Sequence, residues 1–111
     1  MIPLCHDFTG ETVLVFGGGP VGARKARRFA REAHVVVVSP AFADRSFEPD
    51  DEAAVGSVER VRAAPAPDAV ADWFDRTDPV LTVAATDDDA VNAAVAREAR
   101  ERGILVNRAD A

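Results

Sequence analysis

An apolar, β-prone run, Val13-Leu14-Val15-Phe16, enters Gly17-x-Gly19-x-x-Gly22. A helical pattern follows over residues 23–33, and then four consecutive valines, Val35 to Val38. Strand, glycine turn, helix and second strand in that order constrain the fold more than any other feature of the chain, because they are the context in which three spaced glycines have separate physical jobs. Gly17 permits the tight turn off the strand. Gly19 lets backbone approach a pyrophosphate. Gly22 lets helix and strand pack closely. Main-chain amides at the start of the helix then face phosphate charge. The pattern points to nucleotide binding; the plainer alternative is a glycine-rich structural turn.

The rest of the chain repeats the alternation. The spacing predicts a first strand over 12–16 and a helix over 20–33, with Pro20 at its first position, where a missing N–H costs no intrahelical bond. Gly22, Ala26, Phe29, Ala30 and Ala33 fall at helical spacing and face the sheet. Arg24, Lys25, Arg27, Arg28 and Arg31 make a solvated face, with Arg24 and Lys25 near enough to the glycine loop to assist an anion there. A second strand is expected over 34–38; its valines read as buried on both faces, as in a parallel sheet. Residues 41–56 read as an acidic loop, 58–61 as a short third strand and 68–74 as a short helix. Trp73 and Phe74 are expected to cap the core. A fourth strand over 80–84, a helix over 87–102 ended by Gly103 and a fifth strand over 104–106 complete the pattern. These elements predict an α/β fold, a Rossmann-like doubly wound parallel sheet of five strands in the order 3-2-1-4-5, with right-handed crossovers.

Length and composition agree with one domain over residues 1–111. The chain is 48% hydrophobic and 29% charged, as in globular proteins, and no apolar run approaches the roughly 20 residues of a membrane span. A net charge of -6 disfavours a polyanion such as nucleic acid as partner. Cys5 is the only cysteine and forms no internal disulfide, which with the absence of a signal-peptide pattern points to a cytoplasmic setting. Arginine outnumbers lysine, represented by Lys25 alone. An acidic, lysine-poor surface suits high salt; a GC-rich genome produces the same bias.

Several side-chain groups bear on chemistry. At the end of strand 2, where many dinucleotide-binding folds carry an acid for the adenosine ribose, stand Ser39 and Pro40, so the usual rule for NAD against NADP is silent; Arg45 lies near in sequence. Thr86-Asp87-Asp88-Asp89 opens a helix, with Thr86 read as its cap and Asp89 as the acid of a capping box. Thr86 and Asp87 also fall at the C-terminal edge of the sheet, where ligands bind. Asn92 either holds that loop or is exposed. Asn107-Arg108-Ala109-Asp110 is placed after strand 5, at the same edge, where a carboxylate can exchange a proton beside a cofactor or merely end a tail. Cys5-His6-Asp7 has the composition of a metal cluster without the ligand number zinc needs, and no metal is expected. No Ser/His/Asp or Cys/His nucleophile set is evident.

Four pieces in order resemble the N-terminal domain of siroheme synthase, the precorrin-2 dehydrogenase and sirohydrochlorin ferrochelatase family. They are Met1-Ile2-Pro3-Leu4, Gly17-Gly18-Gly19-Pro20-Val21-Gly22-Ala23-Arg24-Lys25, Ala84-Ala85-Thr86-Asp87-Asp88-Asp89-Ala90-Val91-Asn92 and Asn107-Arg108-Ala109-Asp110. The resemblance implies NAD-dependent oxidation of precorrin-2 to sirohydrochlorin, in a homodimer; some members also insert ferrous iron. It places pyrophosphate contacts on the glycine loop, Pro20 and Val21, adenosine contacts on Ser39, Pro40, Ala41 and Phe42, and the catalytic carboxylate on Asp110. Pro20 offers no amide, so Val21 and the glycine backbone carry the phosphate. Gly22 stands where many members have alanine, a change expected to be harmless. The family continues past its aspartate into dimerisation and helical regions. The chain is therefore expected to be the cofactor domain, monomeric or weakly associating and poorly active by itself. The alternative reading is a non-catalytic nucleotide-sensing module, such as those regulating ion transport. The missing acid after strand 2 speaks against its usual form, and the Thr86–Asn92 and Asn107–Asp110 pieces favour the enzyme.

Overall fold

Strict alternation along the two central strands builds the architecture. The computed structural model describes residues 9–43, 47 and 56–108. In β1 (Thr12–Phe16) and β2 (His34–Ser39), Val13, Val15, Val35 and Val37 point to one face, and Leu14, Phe16, Val36 and Val38 to the other. Because side chains in a strand alternate sides, a chain apolar at every position must be covered twice. Helix α1 (Pro20–Phe29) covers the first face, and α2 (Val70–Thr77) and α3 (Asp89–Arg102) cover the second. With β3 (Ser57–Arg62), β4 (Leu81–Ala84) and β5 (Leu105–Arg108), the sheet has five strands, all parallel, in the order β3-β2-β1-β4-β5. The doubly wound architecture and strand order expected from the sequence are those observed.

The two faces are packed differently. Toward α1 the helix contributes small residues, Ala23, Ala26 and Ala30, with Ala33 just beyond its end, and all are buried. Helix and sheet therefore approach closely, which is what Gly22 serves. The opposite face is filled by larger groups. Phe74 is fully buried and stacks on Phe16 with ring centroids 6.3 Å apart. Trp73 packs against this cluster only partly buried, under the Arg76 guanidinium 4.7 Å from its ring centre. Arg102 fastens the end of α3 to α2: it pairs with Glu98 at 2.6 Å and Asp75 at 2.8 Å. Those two bonds raise its pKa above the usual guanidinium value. Phe47, from the acidic loop, reaches the α1 face and is also buried.

Element ends differ from the sequence reading where local hydrogen bonding outweighs periodicity. Helix α1 stops at Phe29, not residue 33, because the Phe29 carbonyl accepts from both Glu32 and Ala33 and closes the ladder as a turn. A short 3₁₀ turn, Pro67–Ala69, precedes α2. Asn107 and Arg108 lie within β5, not after it, since β4 pairs with that strand as far as Ala84 opposite Arg108. Among the described residues no helix is long and apolar enough to cross a membrane.

Candidate functional site

Gly17 leaves β1 with φ 125, a conformation L side chains rarely adopt. A Cβ there would fall 2.3 Å from the Ala85 carbonyl oxygen, so the turn off β1 and the loop after β4 lie against each other. Gly22 is packed as tightly: its missing Cβ would fall on the Gly17 carbonyl oxygen. Glycine in place of the family's alanine is accommodated here by close packing; on this backbone helix and loop would have to separate to admit alanine. Gly19 is the opposite case. Among the described residues nothing lies within 4 Å of its Cβ position.

Gly19 is also the N-cap of α1, and among the described residues no side chain caps that helix. The Ala23 amide returns to the Gly19 carbonyl at 2.9 Å. Amides earlier in the first turn have no intrahelical acceptor; Pro20 has no N–H, which leaves those of Val21 and Gly22. Helix α3 begins at the same sheet edge but is closed by its own sequence. The Asp88 carboxylate accepts from the Ala90 amide at 2.9 Å and the Val91 amide at 3.4 Å. The cap is therefore Asp88, not Thr86, and Asp89 is not the acid of a capping box. Of these two helix starts, that of α1 is the one left without a side-chain cap among the described residues, and such a start favours an anion.

Thr86 has another task. Its hydroxyl donates to Asn92 Oδ1 at 2.7 Å, its amide donates to the same oxygen at 3.1 Å, and its carbonyl accepts from Asn92 Nδ2 at 2.9 Å. Asn92 is fully buried. It holds the β4–α3 loop in place, which resolves the alternatives the sequence left for it.

These turns enclose a cleft of about 260 Å³ lined by Gly17, Gly18, Gly19, Ser39, Pro40, Ala41, Ala85, Thr86 and Asp87. Gly18 and Ala85 stood in the sequence only within longer motif pieces, with no individual role read for them. Gly18 packs beneath Ala41 and Phe42, a long-range contact that spacing does not reveal. Pro20, Val21, Gly22 and Phe42 flank the cleft without lining it, and neither Arg24 nor Lys25 lines it. Beyond the turn after β2 lies a second pocket of about 420 Å³, lined by Phe42, Ala43, Arg60 and Arg62. Ser39 is buried and its hydroxyl donates to the Ala41 carbonyl at 2.6 Å, folding that turn. Asp110, Arg45 and the Met1–Leu4 and Cys5–Asp7 pieces lie outside the described residues.

At the other edge of the sheet the β2–β3 register sets His34 opposite Ser57. His34 Nδ1 hydrogen-bonds the Ser57 hydroxyl, and Nε2 lies 3.4 Å from Glu59. Sequence spacing gave no hint of this trio. It is solvent-exposed and occupies both ring nitrogens of His34 in a cross-strand bridge.

A glycine turn and an uncapped helix start at the C-terminal edge of a parallel sheet, where the strand order reverses between β1 and β4, define a dinucleotide-binding domain of the Rossmann type. The model of the NAD(P)-binding family NAD_binding_7 matches residues 4–111, and the chain belongs to that family. It is 38% identical over 113 residues to siroheme synthase of Pseudomonas aeruginosa (strain LESB58), an alignment covering 99% of this chain and 22% of the relative. It is also 38% identical over 112 residues to siroheme synthase of Azotobacter vinelandii, covering 98% of this chain and 22% of that one. Among solved structures it is similar to SirC, a precorrin-2 dehydrogenase, with a TM-score of 0.65 and 25% identity over 100% of this chain and 50% of that one. The chain thus spans about a fifth of the length of the curated relatives.

Proposed function

We propose that the chain is the dinucleotide-binding part of a precorrin-2 dehydrogenase, which removes two hydrogens from precorrin-2 to give sirohydrochlorin on the way to siroheme. The observation that carries this reading is the cleft between the glycine turn and the Asn92-held Thr86 loop, in a chain similar along its whole length to siroheme synthases. The bound dinucleotide, NAD by the family resemblance, supplies an acceptor for the hydride.

The chain's own residues bind and orient. The amides of Val21 and Gly22, with the open backbone at Gly19, hold pyrophosphate. Ser39, Pro40, Ala41 and Phe42 carry the adenosine side. Thr86 and Asp87 border the side nearer β4, where the Asp87 carboxylate accepts from a sugar hydroxyl. A hydride leaving precorrin-2 must be matched by a proton leaving the same substrate, and Asp110 takes that proton. The homodimer of the family belongs to the same reading.

The test is dinucleotide titration followed by precorrin-2 turnover, on this chain and on any longer natural form containing it. Asp110→Asn is expected to keep dinucleotide affinity and to lose turnover by about 10²–10⁴-fold, the usual contribution of a positioned acid–base group. Turnover at the parent rate would remove Asp110 from the mechanism. Dinucleotide binding with no turnover in any form would favour the nucleotide-sensing module instead.

A further inference from the structure

Glycine at position 18 answers a demand for space, not for backbone conformation. Its φ lies outside the positive region that favours glycine, unlike that of Gly17, so nothing in that angle requires glycine. A Cβ there, however, would fall on the Ala41 carbonyl oxygen, 2.8 Å from Phe42 Cδ1 and 2.9 Å from Ser39 Cβ. These nearest atoms all belong to the turn after β2. None belongs to Val21 or Gly22, whose amides are read as holding pyrophosphate.

Hydrogen bonds join the two turns from both directions. The Gly17 amide donates to the Val38 carbonyl at 3.0 Å, and the Ala43 amide donates to the Gly18 carbonyl at 2.6 Å. The end of β3 holds the same segment from outside. There the Ala63 amide donates to the Ser39 carbonyl at 3.0 Å, and Arg62 Nη1 donates to the Pro40 carbonyl at 3.3 Å. The Arg60 and Arg62 guanidinium carbons lie 5.6 and 5.7 Å from the centre of the Phe42 ring. The segment from Ser39 to Ala43 is thus seated on the glycine turn and held there by β3. Ser39, Pro40 and Ala41 of that segment line the cleft.

We propose that Gly18 is a positioning residue for the adenosine half of the dinucleotide. By carrying no side chain it lets Ser39, Pro40 and Ala41 sit at the depth where they meet adenosine, and Arg62 fixes that depth from the opposite side. This rests on the dinucleotide-binding reading. In that reading the other half of the ligand lies toward β4, across β1 from this turn and against the Thr86 loop. A group at 18 that lifts the turn therefore acts on the adenosine half alone.

Calorimetric titration of the chain with NAD, 5′-AMP and nicotinamide mononucleotide tests it. Gly18→Ala is expected to weaken 5′-AMP and NAD by about tenfold or more, the effect of overpacking a close contact, and to leave nicotinamide mononucleotide within about threefold of the parent. Arg62→Met keeps an apolar side chain and removes the donor to Pro40; it should weaken 5′-AMP by about threefold to tenfold. Arg62→Lys keeps a donor and should weaken it less. Arg62 is exposed, so this pair decides the matter if circular dichroism shows that Gly18→Ala does not fold. Equal weakening of the two mononucleotides by Gly18→Ala places its effect in the phosphate loop and overturns the proposal. Unchanged 5′-AMP affinity in Gly18→Ala overturns it as well. Parental 5′-AMP affinity in Arg62→Met, or the same loss in the Met and Lys variants, removes Arg62 from it. A parent chain that binds none of the three ligands overturns the dinucleotide-binding reading itself. A parent that binds NAD while Gly18→Ala fails to separate the two halves overturns this proposal alone.

Discussion

At the scale of single residues, Gly19 and Gly22 separate folding from binding. A Cβ at 19 meets no atom of the described residues within 4 Å, so Gly19→Val should lose less than about 1 kcal/mol, the cost of a poorer N-cap. It nevertheless sets a branched group where the phosphate must approach the backbone, and dinucleotide affinity should fall at least about tenfold. Gly22→Ala forces helix and loop apart, and overpacking of this kind costs about 1–3 kcal/mol. Urea denaturation and calorimetry on both variants make the comparison. A folded Gly19→Val protein with parental affinity would move the pyrophosphate elsewhere. The three spaced glycines were legible in the sequence because their backbone demands are local. Gly18 was not, because what forbids a side chain there is the turn after β2, which the fold brings in from twenty-odd residues on. Arg60 and Arg62 were hidden for the same reason: their relation to Ser39 exists only once the β2–β3 register is set.

At the scale of elements, the loop from β4 into α3 shows how one buried amide positions a binding edge. Asn92 closes three hydrogen bonds on Thr86 from within the first turn of α3, and the helix that carries it is capped independently by Asp88. Asn92→Ala should therefore leave α3 intact by circular dichroism. It should strip partners from the partly buried main-chain groups of Thr86, at roughly 1 kcal/mol or more, and weaken dinucleotide binding, since Thr86 and Ala85 line the cleft. Unchanged affinity would show that the loop's position is fixed without Asn92. Strands and helices were read correctly from periodicity, but their ends were not always. Choosing Asp88 over Thr86 as cap depends on Thr86 being drawn to Asn92, six residues on. Ending α1 at Phe29 depends on one carbonyl accepting twice. Both are competitions among hydrogen bonds that a pattern of apolar residues does not record.

At the scale of the whole molecule, binding and stability meet in the sheet. β1 carries the core on both faces and ends in the glycine turn, so the groups that fold the domain also fix the cleft. Doubly wound order was legible because apolar residues at successive positions of the central strands require cover on both sides. Phe74 provides much of that cover on the face away from α1. Phe74→Ala should cost about 3–5 kcal/mol, a large share of the roughly 5–15 kcal/mol that holds a domain of this size together. The variant should melt well below the parent and lie near the limit of folding. Because the substitution removes no group that lines the cleft, dinucleotide at about a hundred times its dissociation constant should restore close to 2.7 kcal/mol to parent and variant alike. Denaturation curves with and without dinucleotide measure both quantities. Equal increments mean that the core and the cleft contribute independently. An increment lost in Phe74→Ala means that the Phe16–Phe74 stack, one residue from Gly17, also sets the glycine turn, and that the cleft is shaped from the core face as well as from its own loops.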